Sequence, residues 1–124
     1  MERILVVGLA GALGALSRYG LHSAINEAAG RPSVLGTLAV NLTGSLLLGL
    51  LIGVTEERVN LPSLWRTAGA VGFLGAYTTF STLMFESVDR LEGGEAPLVI
   101  AYLAASILLG LGLVYGGLQL GRTA

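Results

Sequence analysis

The chain contains no cysteine and no lysine. Without cysteine there is no disulfide, no thiolate metal site and no cysteine nucleophile. Charge is scarce as well: Asp, Glu, Lys and Arg make up 12% of 124 residues, about half the share in an average soluble domain. A formal net charge of −1 offers nothing to a polyanion, so no nucleic-acid partner is implied. The residue sets of common enzymes are missing too. No carboxylate pair, His-Asp-Ser set or P-loop is present, and Glu86 and Asp89 fall at the end of an apolar segment.

What remains is apolar and small. Hydrophobic residues reach 53%, and Gly supplies 19 positions, a combination typical of close-packed membrane helices. A single domain of this length has too little interior to bury so much apolar surface, which points to lipid as the solvent. A spanning helix needs about 20 mostly apolar residues. Four segments qualify: Ile4–Ile25, Val34–Val54, Leu64–Val88 and Ala96–Leu120. The connections NEAAGRPS, TEERVNLPS and DRLEGGE carry charge with Pro or Gly, the usual punctuation between helices. The reading is an all-α membrane protein with four transmembrane helices in one domain, 1–124. Its first span reads as a retained helix and not as a cleaved signal peptide.

The third span is unlike the others. Its middle, GFLGAYTTFST from Gly72 to Thr82, puts two glycines and four hydroxyls near the midplane. Two readings stand: a helix broken there, or a continuous helix whose hydroxyls bond back one turn. A break at that depth survives only inside protein or beside a polar cavity. It would free carbonyls for a cation and amides for an anion.

Polar residues within spans are costly and mark candidate sites. Thr37, Asn41 and Ser45 follow at helical spacing on the second span, and Tyr102, Ser106 and Gly110 do so on the fourth. Asn41 reads either as interhelical glue or as an amide donor lining a pore. Arg18 either snorkels to the headgroups or lines a vestibule that draws in anions. Phe80 carries an electropositive ring edge suited to a bare anion, if it is not simply packed. His22 suggests no role.

Orientation is weakly specified. Arg3, Arg58, Arg66 and Arg122 collect on one side and Arg31 and Arg90 on the other, with Arg18 late in span one. That bias fits either one weakly set topology or insertion both ways.

Three stretches resemble the CrcB/Fluc family of fluoride channels: GLAGALGALSRY (Gly8–Tyr19), GTLAVNLTGSLLLG (Gly36–Gly49) and GFLGAYTTFSTL (Gly72–Leu83). They occur in the family's order, each on the expected span, and the TTFST core is the most specific. The resemblance implies an antiparallel, dual-topology dimer of four-helix subunits with a broken third helix, in the cell inner membrane. Two fluoride pores would run along the subunit interface. It implies a structural Na⁺ held by backbone carbonyls of Gly75 and Thr78. By match, Asn41, Phe80, Tyr102 and Ser106 line the pore, with Thr79, Ser81 and Thr82 contributing. Leu83 stands where the family's second pore Phe occurs, which leaves open a lower throughput, compensation by Phe85 or another group, or pairing with a related, non-identical chain. The implied function is passive fluoride export with fluoride, lipid and a second subunit as partners. A small proton-coupled multidrug exporter and a non-conducting accessory subunit are the alternatives.

Overall fold

The computed structural model describes residues 1–123. The expected spans appear as helices, each somewhat longer than its apolar core: α1 (Glu2–Ala29), α2 (Val34–Glu57), an interrupted third span over 63–92, and α6 (Ala96–Thr123). All four are long and apolar enough to cross a membrane. Their ends follow ordinary capping rules. Gly30 closes α1 in the left-handed conformation at φ 66°, with its amide returning to Asn26 and Glu27. Ser33 opens α2 by accepting from the Leu35 amide at 3.2 Å.

The helices pair in two sets. The α2 and α6 backbones lie close together because Gly49 and Gly53 face Gly117 and Gly121, where a β-carbon would strike opposing main chain. The same device joins α1 to the third span, with Gly14 against the Phe73 backbone and Gly72 against that of Val7. In lipid there is little hydrophobic drive between helices, so such close backbone contact supplies the association. Few side chains are fully enclosed. Val40 and Thr37, both on α2, are the most buried, at 0% and 1% exposure, which makes α2 the central helix.

The third span is built in pieces. A short helix α3 (Ser63–Thr67) widens into a π-helical stretch, Ala68–Leu74, and returns to one α-turn, α4 (Gly75–Tyr77). Thr78 and Thr79 are then extended, with φ/ψ of −84°/157° and −147°/115°. Helix α5 (Phe80–Glu92) restarts from there. Of the two readings open in the sequence, the broken helix is the one observed, and the break falls between Tyr77 and Phe80.

Candidate functional site

The break exposes backbone polar groups that need partners at membrane depth. Thr78 closes the preceding turn twice, through its amide at 3.1 Å and its hydroxyl at 3.0 Å, both donating to the Leu74 carbonyl. The next residue is held by Asn41. Its Oδ1 accepts from the Thr79 amide at 2.7 Å, and its Nδ2 donates to the Thr79 carbonyl at 3.0 Å. One side-chain amide thus acts as a neighbouring strand would, satisfying both main-chain groups of an extended residue. Gly44, one turn along α2, leaves room for Thr78 and Tyr77 to approach.

Restarting the helix also follows from local chemistry. Thr79 Oγ1 accepts from the Thr82 amide at 3.2 Å, a side-chain N-cap, and donates to Thr82 Oγ1 at 3.0 Å. Ser81 Oγ lies 3.3 Å from the same hydroxyl. As at any helix start, the first amides, those of Phe80 and Ser81, have no helical acceptor one turn back.

Carbonyls are freed on the other side. The Thr79 amide would close the next turn on Gly75, and the Thr82 amide would do so on Thr78, yet these amides bond Asn41 and Thr79 Oγ1 instead. The Arg18 guanidinium occupies one position on the Thr78 carbonyl, at 3.3 Å. Arg18 therefore turns inward, toward the break.

Two clefts flank the break, with Thr79 in the walls of both. One, of about 280 Å³, is lined by Asn41, Gly44, Ser45, Gly75, Thr78, Phe80 and Leu83 among others. The second, of about 230 Å³, is lined by Ala15, Arg18, Tyr19, His22, Thr79 and Thr82. Phe80 is 73% exposed, so its ring is free to present an edge outward. Leu83, in contrast, is 7% exposed and packs with Val34 and Tyr102 while also lining the first cleft. Phe85 is as exposed as Phe80.

The fourth-span residues are already engaged. Tyr102 is buried and donates to Glu86 Oε2 at 2.6 Å, while the Ser106 hydroxyl donates to the Tyr102 carbonyl at 2.7 Å. Ser45, which also lines the first cleft, shares an open groove with Ser106 and Gly110. Candidate residues Asn41, Thr78, Thr79, Phe80, Ser81, Thr82, Gly75 and Arg18 thus gather at the break, whereas Tyr102 and Ser106 lie one layer away. Sequence reasoning missed the group joining the layers: Glu86 accepts from Thr37 at 2.9 Å as well as from Tyr102, and His22 stands 3.4 Å from Thr37. The available signal was spacing, since Arg18, His22 and Asn26 form a stripe on α1 matching Thr37 and Asn41 on α2.

A membrane helix interrupted inside the bundle, with donors on one flank and carbonyls on the other, is an architecture for holding or passing ions. Comparison with known proteins gives the class a family. The profile described as CrcB-like protein, Camphor Resistance (CrcB), matches residues 5–118, and the chain belongs to that family. It is 44% identical over 122 residues to the fluoride-specific ion channel FluC of Nitratidesulfovibrio vulgaris, covering 98% of each chain. It is 43% identical over 121 residues to the FluC of Thermus thermophilus, covering 98% of this chain and 96% of that one. The FluC of Acidobacterium capsulatum is 40% identical over 120 residues, with 97% and 96% covered. The protein is therefore a multi-pass membrane protein, which in bacteria means the inner membrane.

Proposed function

We propose that this chain is one subunit of a fluoride-selective channel that lets the anion leave the cell passively, lowering fluoride toxicity. The observation that carries the reading is the break at Thr78–Thr79, held open by Asn41 and bordered by an outward-facing Phe80. The full-length likeness to relatives named fluoride-specific ion channels supports it.

Fluoride is small and strongly hydrated, so a conducting path must replace water by donors that hold it weakly and in series. The Arg18 guanidinium raises anion concentration in the cleft that it shares with Thr82. Thr82 Oγ1 accepts from Thr79, so its own proton is available to an anion. The α5 amides of Phe80 and Ser81, the remaining Asn41 N–H and the Phe80 ring edge continue the series. Tyr102 and Ser106 extend it only where their hydroxyls exchange present partners for the ion. No covalent step and no cofactor turnover are involved.

The assembly we infer is an antiparallel, dual-topology dimer, with the second subunit either identical or a related chain. The weak arginine bias supports insertion both ways. The exposed apolar faces, including Phe80, Phe85 and Ile107, suit coverage by lipid and a partner. A structural Na⁺ fits the donor set at the break, because the carbonyls of Gly75 and Thr78 have lost their helical donors and are hard oxygen ligands. These two residues would hold it, and its charge would offset the carbonyl ends gathered there. The guanidinium of Arg18 on the Thr78 carbonyl leaves that oxygen its second lone pair.

Reconstitution in liposomes with a fluoride electrode tests the function. Fluoride efflux sensitive to Phe80→Ile is expected, and a well-folded dimer that releases no fluoride would overturn the reading. Proton-driven uptake of a hydrophobic cation would support the exporter instead.

A further inference from the structure

A chain of hydrogen bonds with a fixed direction runs from the α1–α2 turn to the carboxylate of Glu86. It starts at a group that can only donate, the Ser33 amide, which bonds Asn26 Oδ1 at 3.1 Å. That contact sets the orientation of the Asn26 side chain, so its Nδ2 faces His22 Nε2, 3.0 Å away. An amide nitrogen donates, and His22 Nε2 must therefore accept. The imidazole proton then resides on Nδ1, which faces Thr37 Oγ1 at 3.4 Å. Thr37 has one proton and gives it to Glu86 Oε1 at 2.9 Å, while Tyr102 donates to Oε2 at 2.6 Å. Every link points toward Glu86, whose two carboxylate oxygens are the acceptors at its end.

The placement matters for an anion. Glu86 follows Thr82 by one helical turn and Leu83 by three residues, and these two line the two clefts at the break. A fixed negative charge there opposes an anion in either cleft. The titratable and charged groups around the imidazole are Arg18 and Tyr19 on its own helix, Glu86 on α5 and, through Glu86, Tyr102 on α6; α2 contributes the Thr37 hydroxyl and the α-carbon of Gly36. Gly36 is where the ring is seated: a β-carbon there would lie 2.8 Å from His22 Nδ1.

We propose that His22 is a positioning residue that couples pH to conduction by acting on Glu86 through Thr37. Resting on the fluoride-channel reading, it states that flux rises as His22 gains a proton. A protonated imidazole presents N–H at both nitrogens. Its Nε2–H then confronts the Asn26 amide hydrogens, and turning Asn26 over would set those hydrogens against the Ser33 amide. One link must yield, and the new positive charge lies two hydrogen bonds from Glu86, offsetting its field on the clefts. Histidine is the side chain whose charge ordinarily changes between about pH 5 and 8.

The chain's single histidine makes the test direct. In liposome-embedded protein carrying ¹⁵N-histidine, the imidazole shifts at pH 8 are expected to show protonated Nδ1 and bare Nε2. Efflux corrected for protein-free vesicles is expected to rise several-fold, about tenfold at most, from pH 8 to 5.5. His22→Gln is expected to give efflux that stays flat on acidification. Gly36→Ala, which displaces the ring without removing it, is expected to blunt the rise. A proton on Nε2, or a His22→Gln profile that still tracks the parent, overturns the proposal. Absence of fluoride flux at every pH, with the expected tautomer intact, instead removes the channel reading and the conduction half of the proposal with it.

Discussion

The two halves of the third span, before and after Thr78–Thr79, are positioned by different physics. The first half, α3 through α4, is set by main chain against main chain. Gly72 fits against the Val7 backbone and Gly14 against that of Phe73, and the π-helical widening over Ala68–Leu74 lies in that contact. The second half, α5, is set by polar side chains: Thr79 to Asn41 at its start and Glu86 to Thr37 and Tyr102 further along. Backbone contact fixes distance and tolerates no added volume. Side-chain hydrogen bonds fix register and tolerate volume, but respond to charge and proton state. A rigid floor and a polar, adjustable wall meet at the break, which suits a narrow passage for one small ion.

The sharpest way to test that contrast is to add volume on the first half. In Gly72→Val the first added carbon would lie 2.9 Å from both Ala10 Cβ and the Val7 carbonyl. Overpacking of this kind costs roughly 1–3 kcal/mol, and more where backbone is the obstacle. Loss of folded protein on detergent gel filtration is expected, with no recovery of flux. A folded Gly72→Val protein would show that the floor is not set by backbone contact.

Removing the clamp comes next. Asn41→Ala leaves the amide and carbonyl of Thr79 without partners, at about 1–3 kcal/mol for each buried group. We expect a thermal midpoint several degrees lower and little or no fluoride efflux. Asn41→Asp keeps the acceptor for the Thr79 amide but loses the donor to its carbonyl and adds a negative charge, so its efflux is expected to be as low while its stability falls less. Equal midpoints for the two variants would break the assignment of Asn41 as a two-sided clamp.

How far the sequence foretold this depends on which physical signal each part carries. The four spans follow from continuous apolar length, and the structure moved their ends by only a few polar residues, such as Glu2 and Glu92. The interruption was visible as glycines and hydroxyls, but those residues are equally compatible with a continuous helix. Nothing local identifies a residue 38 positions away as the clamp. Asn41 was therefore legible as important without its present role, which is to complete the Thr79 backbone. Leu83 and Tyr102 were expected, by family match, along the pore. That they pack on each other in the α2–α5–α6 layer is a matter of helix rotation, which spacing fixes only relative to neighbours on the same helix. The Glu86 cluster was hidden for the same reason, since four helices each contribute one or two of its members.

Within the polar half, single hydrogen bonds are expected to matter less than the clamp. Tyr102→Phe removes one donor to Glu86 and leaves Thr37 in place, a loss of about 1.5–3 kcal/mol for a bond to a carboxylate. Glu86→Gln keeps an acceptor but cannot receive both hydroxyls equally well, and a similar loss is expected. Thermal denaturation in detergent checks both. If the two variants together lose no more than either alone, the bond they share is the one that counts.

The smallest expected effect on stability falls on the residue expected to matter most for the ion. Phe80 is 73% exposed and takes no part in either half's positioning contacts, so Phe80→Ile is expected to shift stability by about 0.5 kcal/mol or less. Isoleucine fills comparable space yet has no electropositive ring edge, and fluoride efflux is expected to fall by about tenfold or more, as loss of roughly 1.4 kcal/mol of ion stabilisation would require. Phe85→Ile gives the matched comparison, because Phe85 is equally exposed and Leu83 leaves the place of a second aromatic edge unfilled. Efflux that falls for Phe80→Ile alone assigns the passage to one ring per subunit. An equal fall for Phe85→Ile shows that this ring takes over the role Leu83 lacks. Unchanged efflux in both would leave exposed phenylalanines as lipid-facing residues and move the anion path to the hydroxyl and amide side of the break.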